Sequence, residues 1–416
     1  MLTFSTLFGD DSSILQETDF QLLLLATLVP VLGAALMSPI LDSLIRPLGA
    51  SSANIGLMIS AYAAPAIVMI PVAGVLADRY GRKPVLITSI IIFGLGGTAI
   101  AFTTDFRVAL ALRFLQGIGF AGINPIIITS IRDLYAGGAE ATGQGIRFMT
   151  SGLSGAVFPA IAGVLVIFAW QFPFLLYAVS FPIAISVYIW FEEPTTPTRS
   201  TATDGGTRAS YIRALARLGT HRRVFSILVA RMLWITIWIG FITYNSIIVI
   251  RLIDGTPLEA GILTTIGFLT FSVSASQAGR ATSMLESRLT LLLGANFCLG
   301  AGFIVFLFAP NIAVAGIGVM ILGFGFGIPG ALYRSIISGY APAELRAGLV
   351  SLSEAGGRLA ATVTPLAMGG VISLASPALG FSTAMQLAGV VVAVVGVGGS
   401  FICLLIANVS PSVPIG

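Results

Sequence analysis

Chemistry requires polar side chains at workable spacing, and this sequence holds few. Asp78 and Arg82 stand four residues apart, as do Glu354 and Arg358, and Asp42 and Arg46. On a helix an i,i+4 pair shares one face. Each acid can therefore be held as an ion pair, and a pair in a low-dielectric site opens when the carboxylate takes a proton. That is proton-binding and charge-gating chemistry. Phosphoryl transfer through a P-loop is excluded, because that loop requires Gly-Lys-Ser/Thr and the one lysine, Lys83, is followed by Pro84. His221, Cys298 and Cys403 are too few and too scattered for a metal or haem site. No metal, no cofactor, no disulfide and no enzymatic activity are expected.

These few charges sit in an apolar chain. Of 416 residues, 56% are apolar, 9% are charged and 48 are glycine. Soluble domains carry about a quarter charged residues, so a water-soluble enzyme, a disordered chain and a disulfide-stapled domain are all excluded. The net charge of +4 does not point to nucleic acid, since the cations are spread over many short loops. The expected fold is an all-α membrane protein. Twelve apolar stretches lie at roughly 20–44, 53–77, 84–103, 107–131, 146–168, 172–191, 224–250, 258–279, 289–308, 312–338, 348–373 and 379–407. Each is long enough to cross a bilayer as a helix that satisfies its own backbone. The alternating ten-residue pattern of a barrel is absent.

Residues 1–18 read as a cytoplasmic tail: Met1 to Glu17 has acids and no cation, so it is no signal peptide. Residues 19–191 form a first six-helix bundle, 192–223 a central cytoplasmic loop, 224–408 a second six-helix bundle, and 409–416 a second tail. Within the loop, Pro194 to Gly206 is expected to be mobile, and Tyr211 to Arg223 to lie as a basic helix on anionic headgroups. The loops on one side of the spans carry fourteen Lys and Arg; the opposite loops carry three, Arg46, Arg107 and Arg251. That bias places both termini in the cytoplasm of a multi-pass plasma-membrane protein. The halves also repeat. Gln116-Gly117-Ile118-Gly119-Phe120 returns as Leu322-Gly323-Phe324-Gly325-Phe326, and Pro159 and Gly163 return as Pro365 and Gly369, both 206 positions on; Ala139-Glu140 returns as Ala343-Glu344, shifted by 204. Two like-oriented six-span halves suggest a carrier with its site between them.

The loop after the second span reads Gly74-Val75-Leu76-Ala77-Asp78-Arg79-Tyr80-Gly81-Arg82-Lys83. It resembles the signature loop of the major facilitator superfamily. Arg113-Phe114-Leu115-Gln116-Gly117-Ile118-Gly119 resembles the fourth-helix motif of proton-coupled members. Gly155, Pro159 and Gly163 resemble the antiporter motif only loosely, and Trp170 to Phe174 looks like the usual start of a sixth span. The pattern is closest to twelve-span drug and metabolite exporters of bacteria and archaea. The resemblance implies that the loop of Gly74, Asp78, Arg79, Gly81, Arg82 and Lys83 latches the halves together on the cytoplasmic side. Read from the residues alone, its three cations fix topology. Gly117, Gly119 and Gly122 match a dinucleotide fingerprint in spacing, but within a membrane helix they serve helix packing.

Intramembrane charges are the candidates for a proton and charge relay: Asp42, Arg113, Glu354 and Arg358. Arg113 either faces the cavity and tunes an acid or donates to backbone carbonyls of neighbouring helices. Asp42 either faces Arg113 or is held at the interface by Arg46. Glu354 with Arg358 is either a proton-releasable pair or a permanent one. Arg231 and Arg334 lie close enough to the membrane surface to snorkel. By analogy with the family, spans one, four, seven and ten line the cavity. They offer Met37, Gln116, Asn124, Trp234, Trp238, Tyr244, Asn245 and Tyr333, an aromatic and weakly polar set suited to a lipophilic small molecule. The expectation is a monomeric, proton-coupled exporter of such molecules working by alternating access. The alternative is an importer or facilitator of an organic metabolite or anion, in which at least two of Arg113, Arg231, Arg334 and Arg358 must converge on the cavity. A non-transporting membrane sensor is a third class.

Overall fold

A computed structural model of the chain describes residues 14–193, 208–284 and 287–409, and these contain helices and turns but no strand. The expectations for the N-terminal tail before residue 14, for the loop from Pro194 to Gly206 and for the C-terminal tail after residue 409 lie outside the described residues. Twelve helices are long and apolar enough to cross a membrane: Thr18–Ala35, Leu57–Tyr80, Arg82–Phe102, Phe106–Leu134, Gly137–Phe168, Phe172–Trp190, Arg222–Leu252, Pro257–Ser276, Arg288–Leu307, Ile312–Gly339, Gly348–Leu379 and Phe381–Val409. They are spans one to twelve. The loops that carry most of the arginines share one end of the molecule, the basic end. The other end is the far end.

Local chemistry sets where the spans begin and break. Span one does not run to residue 44 as one helix. It stops at Ala35, and a separate turn of helix covers Leu41–Leu44. Pro39 is the reason: it has no N–H for the Ala35 carbonyl and disfavours helical backbone at Ser38. Asp105 caps span four, accepting the N–H of Arg107 at 2.7 Å. Thr256 and Glu259 form a capping box at the start of span eight. Span five starts at Gly137 rather than near 146, so a polar first turn extends past the apolar stretch.

The 206-residue repeat is a repeat of packing. A Cβ at Gly96 would lie 2.7 Å from the backbone nitrogen of Gln116 in span four, and one at Gly119 would collide with that of Phe93. In the second half, Gly302 meets Leu322 and Gly325 meets Leu299 in the same way. All four positions are related by the same shift. Backbones this close tolerate no side chain, and that is how membrane helices gain contact where no hydrophobic drive exists between them. Gly119 of the fingerprint-like triplet is thereby accounted for as a packing residue, with Gly117 against Tyr62 and Gly122 against Ser89. The linker helix Arg208–Thr220 starts earlier than residue 211 and packs on span eleven, where Gly348 lies against Tyr211 and Leu215.

Candidate functional site

The signature loop is built around Arg82. Its guanidinium bridges Asp78 at 2.9 Å and Asp133, at the end of span four, at 3.1 Å. Gly81 turns the chain between spans two and three at φ +98°, a conformation open to glycine. The carboxylate of Glu193, just past span six, accepts the backbone N–H groups of Arg82 and Lys83. It therefore sits on the positive end of span three. Arg79 stacks on Tyr80, and Lys83 lies 6.0 Å from the ring of Tyr188. All these partners belong to the first half. The Asp78 side chain is still 71% exposed, and Gly74 faces open space. Asp133 and Glu193 were not legible as partners; an acid directly after Arg132 at the basic end was the available signal. Asp78→Asn is expected to leave the fold intact, because its pair with Arg82 is solvent-screened, and to slow transport. A folded variant moving substrate at the wild-type rate removes the gating role of this loop.

Arg113 is fully buried among spans one, two and four. It donates to the carbonyl oxygens of Gly33 at 3.1 Å and Met58 at 3.2 Å, and to Gln116 Oε1. Its guanidinium covers the Tyr62 ring at 4.5 Å. The Gly33 carbonyl is one of the last four of a helix that ends at Ala35, so it lacks an intrahelical donor and Arg113 supplies one. Of the two readings of Arg113, the geometry is that of the donor to backbone carbonyls; among the described residues no carboxylate is bonded to it.

Asp42 is held neither by Arg46 nor by Arg113. Its carboxylate pairs with Arg251 of span seven at 2.5 Å, and its backbone N–H donates to Ser246 Oγ at 3.1 Å. Arg251 also donates to Ser52 Oγ at 2.7 Å. Spatial proximity of the two half-ends, invisible in sequence, overrides the i,i+4 spacing. Ser38 and Thr264 share a hydrogen bond of 3.2 Å, Ser60 donates to the Thr362 carbonyl at 2.7 Å, and Thr265 donates to the Ala156 carbonyl. The hydrogen bonds between halves among the described residues thus run from the far end to mid-depth. The halves are clasped at the far end.

Between mid-depth and the basic end the second half presents a charged cluster. Glu354 pairs with Arg231 at 2.7 Å and with Arg334 at 3.4 Å, both on Oε1. Arg231 is buried and also donates to Ser353 Oγ at 2.7 Å. The expected Glu354–Arg358 pair is not formed. Arg358 instead lies 4.7 Å from the ring of Phe120, in the first half. Arg231 does not snorkel: Glu354 and Ser353 hold its two terminal nitrogens in place, while its Nε is buried without a partner. Arg334 lies 5.8 Å from the Phe148 ring, and Arg147 lies 4.6 Å from the same ring. One helical turn beyond Arg231, Trp234 stacks on Phe326 at 4.1 Å, and Trp238 stacks on the same ring at 4.5 Å. The indole Nε1 of Trp234 is buried without a hydrogen-bond partner. Phe120 and Phe326 are repeat equivalents, so the duplication puts one aromatic ring from each half at the centre.

Trp234 and Trp238 of the proposed lining stack on Phe326 beside the charged cluster and are themselves buried. Met37, Gln116, Tyr244, Asn245 and Tyr333 do not line an open space in this conformation; all are fully buried. Gln116 serves Arg113. Asn245 donates to the Ala260 carbonyl at 2.8 Å and to Thr264 at 2.9 Å. Tyr333 bonds Ser400 inside the second half, and Tyr244 OH donates to the Pro365 carbonyl at 3.3 Å. Asn124 is partly exposed. Periodicity alone cannot say which polar face of a helix meets a neighbour. Among the described residues no group of His, Cys, Asp and Glu could hold a metal ion, and both cysteines are free.

The Major Facilitator Superfamily model matches residues 23–365. The chain is a member of the major facilitator superfamily. Within it, the chain is 38% identical over 154 residues to the bacillibactin exporter of Bacillus subtilis, a stretch covering 35% of this chain and 38% of that relative. The chain thus spans well under half the length of that relative. It is 27% identical over 336 residues to the 3-(3-hydroxy-phenyl)propionate transporter of Escherichia coli, covering 75% of this chain and 76% of the relative. Among solved structures, a point mutant of the nucleoside transporter NupG superposes with a TM-score of 0.80 at 14% identity, over 94% of this chain and all of that one. A bacterial homolog of the human lysosomal transporter Spinster, in an inward-facing and occupied conformation, gives 0.78 at 15%, over 94% and 96%. The superfamily assignment, with the twelve long apolar helices, makes this a multi-pass membrane protein.

Proposed function

We propose that this transporter carries an amphipathic organic anion, an aromatic or other apolar body with a carboxylate-like head, together with a proton. The pairing of Arg231 and Arg334 with the single carboxylate of Glu354, beside the Trp234–Phe326–Trp238 stack and with Arg358 one helical turn further on against Phe120, carries the reading. Three guanidiniums and one carboxylate leave positive charge for a substrate anion, and the rings supply an apolar seat. The set is more basic than the sequence implied, and it favours the organic-anion alternative over lipophilic export.

The sign of the coupling follows from the cluster. A substrate anion that takes Arg231 displaces Glu354, and a displaced carboxylate in a site closed to water binds a proton. Conversely, a protonated Glu354 frees Arg231 for the anion. Each ligand promotes the other, which is cotransport, and an inward proton gradient then drives uptake. Alternating access follows if the far-end clasp opens while the basic end, taken as cytoplasmic, closes. The identity to the bacillibactin exporter supports export as a second reading.

The test is transport in proteoliposomes under imposed pH gradients. A radiolabelled hydroxyphenyl carboxylate should accumulate when the outside is acidic, and Glu354→Gln should move it at a rate indifferent to the gradient. If wild type ignores this anion and instead expels a fluorescent lipophilic cation against the gradient, export stands in place of cotransport. Full gradient dependence in Glu354→Gln rules out this residue as the proton carrier.

A further inference from the structure

Outside the path between the halves, the second half contains a cavity of about 500 Å³ at its basic end, walled by spans seven, nine, ten and twelve. Each of these helices contributes a polar residue at the rim: Arg223, Arg288, Tyr340 and Asn408. Each also contributes an apolar residue four positions deeper: Ile227, Leu292, Ile336 and Leu404. At 1.5 Å rise per residue, the apolar floor lies about 6 Å further into the membrane than the rim. No lining residue comes from the first half.

The rim is positively charged. Among the described residues neither Arg223 nor Arg288 forms an ion pair with a carboxylate. The Arg223 guanidinium lies 5.6 Å from the Tyr340 ring, and its Nε is buried without a hydrogen-bond partner. A buried guanidinium N–H left without an acceptor is costly, so the site calls for an anion with oxygen acceptors. The gradation from cationic rim to apolar floor within one helical turn matches a phospholipid at its glycerol level, where phosphate gives way to acyl chain. A free phosphate would use the rim and leave the floor unoccupied. A choline headgroup would bring a cation against two arginines.

We propose that this cavity binds an anionic phospholipid from the membrane leaflet at the basic end, with its phosphate between Arg223 and Arg288. The linker helix, with Arg213 and Arg217, precedes Arg223 at the same surface and adds to the attraction for that leaflet.

Native mass spectrometry of the delipidated full-length protein in detergent tests this. Phosphatidylglycerol should bind one molecule roughly tenfold more tightly than phosphatidylcholine. The Arg223→Ala/Arg288→Ala variant should lose that preference, and the Arg223→Lys/Arg288→Lys variant should keep most of it. Ile336→Trp fills the floor without altering charge and should lose the bound lipid as well. It decides the matter if the double alanine variant does not elute as folded protein. Glycerol 3-phosphate should not displace the lipid at equal concentration. Equal affinity for the two lipids in wild type, an unchanged preference in either loss variant, or displacement by glycerol 3-phosphate overturns the proposal.

Discussion

Arg231→Ala is expected to reduce transport of the organic anion by about 100-fold or more while the protein still inserts and folds. Arg231 is buried, donates to Ser353 and carries the shorter of the two ion pairs to Glu354. Removing one partner of a buried pair costs about 3–5 kcal/mol, because the other charge is left behind. Glu354 would then depend on Arg334, whose side chain is 52% exposed and lies 3.4 Å away. Arg334→Ala should be much milder, on the order of tenfold or less, since an exposed pair is worth about 0–1 kcal/mol. Arg231→Lys should not rescue fully: an ammonium has no planar fork with which to hold Ser353 and Glu354 together. The measurement is the initial uptake rate beside substrate affinity by calorimetry. Equal effects of the two alanine variants would refute the assignment of Arg231 as the principal anion-holding group.

Arg251→Ala should shift the protein toward the state open at the far end. Arg251 joins the halves through Asp42 and Ser52, and its guanidinium also faces the Phe381 ring at 5.5 Å. Opening the far end must break the contacts to Asp42 and Ser52. They therefore stabilise only one of the two states, and only a differential contact shifts an equilibrium. A loss of roughly 1.5–3 kcal/mol from charged hydrogen bonds corresponds to about 10- to 100-fold in population. Ser38 and Thr264 are fully buried behind this clasp. A single cysteine at Ser38, in a background lacking Cys298 and Cys403, should react with a bulky thiol reagent at least tenfold faster in the Arg251→Ala variant. An unchanged rate means that the Asp42–Arg251 pair does not hold the far end shut.

Sequence reading reached the fold because the bilayer imposes a one-dimensional rule: each crossing must be a long apolar helix, so composition alone marks it. The duplication was legible for a related reason. Gly96 and Gly119, with Gly302 and Gly325, keep their spacing because backbone contacts at those positions admit no other residue. The charged pairs were a different matter. Asp42 has Arg46 four residues away and Glu354 has Arg358, yet both acids pair across helices, with Arg251 and with Arg231. An i,i+4 rule covers one helix surface, and in a twelve-helix bundle most partners come from another helix.

The amino-acid order by itself determined the twelve crossings, their division into two repeated halves, the signature loop around Arg82 and the absence of a P-loop. All of these depend on local composition and spacing. Only the tertiary structure decided that Arg113 is an internal fastener between helix carbonyls, that Asp42 clasps the far end, and that Arg231 and Arg334 gather around Glu354 while Arg358 turns to Phe120. Charges in a low-dielectric interior are placed by whichever partner the packing brings within about 3 Å, and the helix rotations and crossings that decide this are collective properties of all twelve spans.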